Sequence, residues 1–151
     1  MAKFVGEGLP SRNKFGRWII LKCGTDIIEI SRIKESIEKY GETFINRIYS
    51  PREIEYCEKK GQVKYQHYAA RFASKEAVAK MLGTGFNGNF EWKDIEVIND
   101  ELGKPQIKLS GGAKKIFEEE KLEKIDISLS HCKEYAVAMV IGYWQLANKL
   151  V

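Results

Sequence analysis

The segment from Lys64 to Leu82 constrains the fold of this chain most, because its apolar residues recur with the period of an α-helix. The residues spaced three and four apart, which share one face, are Tyr65, Ala69, Phe72, Glu76 and Ala79. Gly83 follows the segment directly, as is typical where a helix ends. We therefore predict one long helix with a face that packs against the rest of the domain.

Glu76 is the unusual member of this face, because a buried carboxylate is unfavourable unless it is paired or binds a metal ion. Lys80, one helical turn on, offers a pair that stabilises a helix by roughly 0.2–0.5 kcal/mol. Asp26 offers a second carboxylate, at the exit of a short apolar strand that we predict over Trp18–Cys23 and that Gly24 would end. The sequence thus leaves two alternatives, a helix-surface ion pair or two carboxylates that meet.

The composition is that of a soluble globular protein, with 30% charged and 44% hydrophobic residues among 151. The length predicts one domain, which we place at residues 18–143, between a flexible leader over 1–17 and a tail over 144–151. The net charge of +4 suits an acidic partner or a phosphate-rich ligand, but it is too small to indicate nucleic acid by itself. We expect a cytoplasmic protein, since no apolar run reaches membrane-spanning length and the three cysteines lack disulfide or zinc spacing.

The remaining segments predict an α+β fold, in which a small antiparallel sheet packs against the long helix. Ser50-Pro51-Arg52-Glu53 has the residues of a helix start, namely a capping Ser, a Pro at the first helical position and a Glu three residues after the cap. Other predicted helices cover Ile30–Tyr40 before Gly41, Thr43–Tyr49 and roughly 112–121. Other predicted strands cover Asp94–Ile98, Gln106–Leu109, Asp126–His131 and Tyr135–Ile141.

His131 lies near the end of an alternating strand, on the face of Ile127 and Leu129, where a lone histidine is more often structural than functional. Cys132 is its neighbour in the chain and would point to the opposite face, so a Cys–His nucleophile is disfavoured. The loop that begins at Gly83 follows its helix and lacks Gly-Lys-Ser/Thr, so it is not a phosphate-binding P-loop. These residues therefore favour no nucleophilic mechanism.

Six motifs, in this order along the chain, resemble the holo-[acyl-carrier-protein] synthases, which are small phosphopantetheinyl transferases. The motifs are Gly24-x-Asp26-Ile27, Arg71-Phe72-Ala73-Ser74-Lys75-Glu76-Ala77, Lys80 with Gly83-Thr84-Gly85, Asp94-Ile95-Glu96, Gly103-Lys104-Pro105, and Ser128-Leu129-Ser130-His131 leading to Lys133-Glu134-Tyr135-Ala136. The resemblance runs from Trp18 to Gly142, and Ser74 departs from the family's usual Ala.

The resemblance implies a 4′-phosphopantetheinyl transferase fold and an enzyme that moves phosphopantetheine from coenzyme A to a serine of an apo acyl carrier protein, releasing adenosine 3′,5′-bisphosphate. It implies Mg²⁺ held by Asp26 and Glu76, and a homotrimer with active sites between subunits. The residues it implies for catalysis are Glu76, Lys80 and His131. Those implied for coenzyme A binding are Arg71, Lys80, Gly83, Lys104, Pro105 and His131, and those for the carrier protein are Arg32 and Arg47.

A different class of protein competes with this interpretation, namely a basic, non-catalytic binding module for an acidic protein or RNA. RNA binding would weaken steeply as the salt concentration rises and would not depend on magnesium or coenzyme A. A carrier-binding module without catalysis would still bind its partner after loss of Asp26. The order of the motifs favours the transferase, so we expect neither a nucleic-acid nor a membrane partner. The sequence leaves open the source of the general base and whether the carrier serves fatty-acid or secondary metabolism.

Overall fold

The computed structural model describes residues 21–144, together with the backbone of two short strands at residues 11–12 and 18–19. The strands are β1 (Ser11–Arg12), β2 (Trp18–Ile19), β3 (Leu21–Glu29), β4 (Ile95–Asn99), β5 (Pro105–Leu109), β6 (Lys124–His131) and β7 (Tyr135–Tyr143). The α-helices are α1 (Ile30–Ile48), α2 (Pro51–Glu58), α3 (Lys64–Leu82) and α4 (Gly111–Glu119), and single 3₁₀ turns span Gly61–Val63 and Trp92–Asp94. None of the described helices combines the length and the apolar character needed to cross a membrane.

Three antiparallel strands in the order β3-β7-β6 form the main sheet, and β4 and β5 form a separate antiparallel pair. In the main sheet, Asp26 of β3 and Leu129 of β6 both lie opposite Ala138 of the central strand β7. The long helix α3 packs across one face of β3 and β7. The predicted α+β fold, with an antiparallel sheet against a long helix, is confirmed.

The small residues of α3 let it approach the sheet closely. Ala73 and Ala77 are fully buried, and a Cβ atom at Gly24 of β3 would lie 2.0 Å from the backbone oxygen of Ala77. Glycine at this position therefore permits close helix–strand packing. The predicted end of the first strand at Gly24 is wrong, because β3 continues to Glu29 and Asp26 lies within it rather than at its exit.

The predicted helix signals are confirmed at three positions. Gly41 has a φ of 55°, a left-handed value that interrupts α1 between two helical pieces. The Ser50 hydroxyl accepts a hydrogen bond from the Glu53 N–H, and the Glu53 carboxylate accepts one from the Ser50 N–H, so the capping box is formed. Gly83, with a φ of 77°, ends α3 as predicted.

A fully buried ion pair, which no pattern in the sequence indicated, joins α2 to α3. Lys75 Nζ lies 2.9 Å from Glu53 Oε2, and both side chains are 0% exposed. Buried charges are tolerated when they are paired and their remaining hydrogen-bonding capacity is satisfied. This pair therefore depends on the groups that surround it.

Backbone groups of the β4 region satisfy the rest of this ion pair. Lys75 Nζ also donates hydrogen bonds to the carbonyl oxygens of Trp92, at 3.1 Å, and Ile95. Glu53 Oε1 accepts one from the N–H of Val97 at 3.0 Å. Burial lowers the pKa of Lys75, and the neighbouring Glu53 carboxylate opposes that effect. The two charges therefore tie α2, α3 and β4 into one unit.

The face of the main sheet opposite α3 carries apolar side chains that contact solvent. Leu21, Ile27 and Met139 are 62%, 63% and 47% exposed, and Val137 and Ile141 on the same face are half-buried. Ile27 pairs with Val137 across β3 and β7, so these side chains are neighbours. Exposed apolar groups that adjoin one another are typical of a surface that another protein covers.

The predicted leader over residues 1–17 falls largely outside the described residues. Ser11 and Arg12 are described, and their backbone pairs with Ile19 and Trp18 in a short antiparallel ladder. Of the predicted tail, only residue 144 is described. The limits of the domain at 18 and 143 therefore stay predictions.

We expect Lys75→Met to lower the free energy of unfolding by about 3–5 kcal/mol, because Glu53 would remain as a buried carboxylate without its cation. The double variant Glu53→Gln/Lys75→Met should recover much of this loss, since no uncompensated charge stays buried. Urea denaturation measures both. Lys59→Met is the control, because its ion pair with Glu55 is exposed and should leave stability nearly unchanged. Equal losses in the single and double variants would contradict this role of the charge.

Candidate functional site

Asp26 and Lys80 form the first part of the site, where β3 faces α3. Lys80 Nζ donates hydrogen bonds to Asp26 Oδ1 at 2.8 Å and to the carbonyl oxygen of Thr25 at 3.1 Å. The Asp26 side chain is 14% exposed and that of Lys80 is 53% exposed, so the pair lies at the boundary with solvent. Among the described residues, the ion pair of Lys80 is with Asp26 and not with Glu76 of its own helix, so the alternative of a simple helix-surface pair is wrong.

Glu76 lies half-buried beside this pair. Burial raises the pKa of Glu76 above its ordinary value, the negative charge of Asp26 raises it further, and Lys80 opposes both effects. Glu76 lies one turn before Lys80 on the same face of α3, the face from which Lys80 reaches Asp26.

The chemistry of this cluster fits a hard divalent cation. Mg²⁺ takes oxygen ligands and typically uses one or two carboxylates together with phosphate oxygens and water. Asp26 and Glu76 supply two carboxylates, and within residues 21–144 no cluster of three or more metal-binding His, Cys, Asp or Glu side chains is found. Burial and, to a smaller extent, the negative charge of Asp26 raise the pKa of Glu76, and a cation held by both carboxylates would oppose both effects.

A cavity of about 390 Å³ forms the second part of the site, between α3, β6 and the turn that joins β4 to β5. Arg71, Lys104, Pro105 and His131 line it, so four of the predicted coenzyme A-binding residues meet there. No carboxylate is among the described residues that line this cavity. An arginine and a lysine without a lining carboxylate suit an anionic ligand.

Arg71 is the most deeply buried cation of the cavity, with only 3% of its surface exposed. Its Nη2 donates a hydrogen bond to Asn99 Oδ1 at 2.8 Å, and its Cζ atom lies 3.9 Å from the centre of the Tyr56 ring. The Nε donor has no hydrogen-bond partner among the described residues. A buried guanidinium with a free donor is unfavourable unless a ligand completes its interactions.

His67, which belongs to none of the sequence motifs, also lines the cavity. The centre of its ring lies 6.0 Å from that of His131 and 5.6 Å from that of Tyr56. Burial lowers the pKa of His67 to about 4, and the charges of Lys60, Arg71 and His131 act in the same direction. His67 is therefore neutral at pH 7. The available signal in the sequence was its spacing of four from Arg71, which places both on one face of α3.

The two parts of the site lie at opposite edges of the main sheet. Asp26 belongs to the edge strand β3 and His131 to the edge strand β6, with β7 between them. Two strand spacings amount to about 10 Å, and α3 packs over the sheet between the two parts. The structure thus places Asp26, Glu76 and Lys80 in one group, and it places four other predicted coenzyme A-binding residues in a second group, namely Arg71, Lys104, Pro105 and His131.

The other predicted site residues lie apart from both groups. Gly83 ends α3, three residues beyond Lys80. Arg32 is exposed in the first turns of α1, and Arg47 is exposed in its last turn, on the far side of the interruption at Gly41. Arg47 lines a separate cavity of about 440 Å³, beside the aromatic side chains of the 86–92 segment.

Comparison with known proteins gives consistent matches. The model of the 4′-phosphopantetheinyl transferase superfamily matches residues 22–140. The chain is 50% identical over 118 residues to the holo-[acyl-carrier-protein] synthase of Ruminiclostridium cellulolyticum. The aligned residues make up 78% of this chain and 88% of that protein.

Solved structures of the same kind are also similar to this chain. The holo-[acyl-carrier-protein] synthase of Neisseria meningitidis matches with a TM-score of 0.73 and 33% identity, over 80% of this chain and 96% of that one. The synthase of Bacillus anthracis str. Ames, solved in complex with CoA (3′,5′-ADP), matches with a TM-score of 0.70 and 34% identity, over 84% of this chain and 99% of that one.

The matched residues include both parts of the site, since residues 22–140 run from before Asp26 to beyond His131. The resemblance drawn from the six sequence motifs is therefore confirmed. The chain belongs to the 4′-phosphopantetheinyl transferase superfamily.

Proposed function

We propose that this protein transfers the 4′-phosphopantetheine of coenzyme A to a serine hydroxyl of an apo acyl carrier protein, in a Mg²⁺-dependent reaction that releases adenosine 3′,5′-bisphosphate. The observation that carries the proposal is the pairing of Asp26 with Lys80 beside Glu76, in a member of this superfamily. The similar structure bound to CoA (3′,5′-ADP) supports coenzyme A as the substrate. The cytoplasmic location and a role in fatty acid biosynthesis belong to the same proposal.

In this reaction the serine oxygen forms a bond to the phosphorus that carries the pantetheine arm. The pyrophosphate bond breaks, the nucleotide leaves with the electron pair, and the serine proton passes to a base. Transfers of this kind depend on positioning and charge stabilisation rather than on a protein nucleophile. That fits a site whose chemical groups are two carboxylates, several cations and a histidine.

Each part of the site has a role in the proposal. Asp26 and Glu76 would hold Mg²⁺, which when bound neutralises charge on the pyrophosphate. Lys80 supplies an exposed positive charge that contacts Asp26. Arg71 and His131, with the turn that carries Lys104 and Pro105, offer the cavity in which the phosphate-bearing nucleotide end of coenzyme A would bind.

The test is to incubate the protein with coenzyme A, magnesium and an apo acyl carrier protein and to measure the mass of the carrier. The carrier should gain the mass of one phosphopantetheine arm, and a carrier whose acceptor serine is replaced by alanine should gain nothing. Absence of any gain with several carriers would favour the competing interpretation, a binding module without catalysis.

Asp26→Asn and Glu76→Gln should each slow transfer by roughly 100-fold or more. Even mutation of a residue that only hydrogen-bonds a metal ligand typically lowers metal affinity or activity by about 10–100-fold, and these two residues are proposed to be ligands themselves. If both carboxylates hold one ion, the double variant should be little slower than either single variant. Initial rates over a range of Mg²⁺ concentrations measure this. Glu119→Gln, an exposed carboxylate on α4, is the matched control and should keep the full rate. Fully additive losses would argue against a shared ion.

Arg32 and Arg47 are proposed to attract the acidic carrier protein, since both are exposed cations on α1. Arg32→Ala and Arg47→Ala should therefore raise the KM for the carrier more than they lower kcat. The effect should shrink as salt rises, because exposed charges are screened beyond about 8 Å at physiological ionic strength. Arg52→Ala, an exposed arginine on α2, is the control. A change confined to the KM for coenzyme A would place these arginines elsewhere.

A homotrimer is proposed on two observations. The apolar face of the main sheet is exposed in the single chain, and the two parts of the site lie at opposite edges of that sheet. A closed ring of three copies could bring one edge of each chain to the other edge of its neighbour. Light scattering should give the mass of three chains, and Met139→Glu should reduce both mass and activity. A stable, fully active monomer would overturn the trimer and leave the Asp26–Glu76 site intact.

A further inference from the structure

The positive charge of Arg71 is not neutralised by its hydrogen-bond partner, because that partner is an uncharged amide. It is 3% exposed and forms no ion pair with a carboxylate among the described residues, and its hydrogen bond goes to the amide oxygen of Asn99. The Tyr56 ring covers the guanidinium face at 3.9 Å, an arrangement that stabilises a cation without cancelling its charge. A carboxylate at this position would instead neutralise the guanidinium.

Asn99 makes a second hydrogen bond, at the other end of its side chain. Its Nδ2 donates to the carbonyl oxygen of Gly103 at 2.9 Å, in the turn that joins β4 to β5. The same amide thus holds the guanidinium of α3 on one side and the turn that carries Lys104 on the other. Because Asn99 is the last residue of β4, the strand fixes its backbone as well.

The turn itself has little freedom, which makes the Asn99 contact effective. Asp100 Oδ1 accepts hydrogen bonds from the N–H groups of Leu102 and Lys104, both at 2.9 Å, and the Asp100 N–H donates to the Lys104 carbonyl. Gly103 adopts a φ of 84°, which favours glycine. The hydrogen bond from Asn99 to the Gly103 carbonyl therefore also sets the direction in which Lys104 leaves the turn.

We propose that Asn99 is a positioning residue for the phosphate-bearing nucleotide end of coenzyme A: it sets the Arg71 guanidinium and the Lys104 turn in one geometry while leaving the arginine charge uncancelled. This inference rests on the proposed transferase function. Asn99 acts through Arg71 and the turn, and both of these line the cavity. An amide is required because it accepts from the guanidinium with one atom and donates to the Gly103 carbonyl with the other.

Asn99→Asp is the sharpest test, because it keeps the shape of the side chain while it cancels the Arg71 charge and removes the donor to Gly103. The KM for coenzyme A should rise about tenfold or more, since hydrogen bonds to charged groups contribute an effect of that order. The kcat and the KM for the carrier protein should stay within about twofold. Gln106→Glu is the matched control, because it adds the same charge on exposed β5 outside the cavity and should leave both KM values unchanged.

Calorimetry with adenosine 3′,5′-bisphosphate separates this inference from the proposed function, because binding of that nucleotide requires no transfer. Its Kd should rise in Asn99→Asp by the same factor as the KM for coenzyme A, and the salt dependence of binding should become weaker, since one cation is cancelled. If the wild-type protein transfers nothing but binds this nucleotide with the expected loss in Asn99→Asp, the proposed function fails and the role of Asn99 stands.

Two results would overturn the role of Asn99. One is nucleotide binding in Asn99→Asp equal to that of the wild type and of Gln106→Glu. The other is a parallel rise in the KM values for coenzyme A and for the carrier together with a lower melting temperature, which would show a purely structural residue. Asn99→Ala adds a further check: it loses both hydrogen bonds but leaves the Arg71 charge uncancelled, so it should weaken nucleotide binding less than Asn99→Asp.

Discussion

The buried ion pair of Glu53 and Lys75 is the interaction on which the arrangement of this structure depends. It joins α2 to α3, and the backbone of β4 supplies its remaining hydrogen bonds. Two charges without access to water are stable only in one geometry, in which every donor and acceptor is matched. The relative positions of the two helices and the strand follow from that requirement.

The cavity lined by Arg71 lies close to this ion pair along each of the three elements. Arg71 lies four residues before Lys75 on α3, Tyr56 lies three residues after Glu53 on α2, and Asn99 lies two residues after Val97 on β4. These spacings return to the same face of a helix or a strand. The ion pair therefore also determines how Arg71, Tyr56 and Asn99 meet.

The helix α3 serves both parts of the site because it is buried on nearly every side. Lys80 reaches Asp26 of β3 at one edge of the sheet, and Arg71 lines the cavity beside β6 at the other. The close approach at Gly24 holds the helix against β3, where a larger side chain would collide with the backbone. One helix thus sets the distance between the carboxylates and the cavity lined by Arg71.

The sequence by itself determined the features that depend on local chemistry. The α3 helix, the capping box at Ser50 and the left-handed Gly41 each follow from interactions within a few residues, so patterns along the chain predicted them. Only the tertiary structure decided the burial of Lys75, the partner of Lys80, the role of Gly24 and the environment of His67. Each of these depends on groups distant in sequence, such as the Asp26 carboxylate and the β4 carbonyls. A one-dimensional pattern shows which face a residue occupies but not what the fold brings against that face.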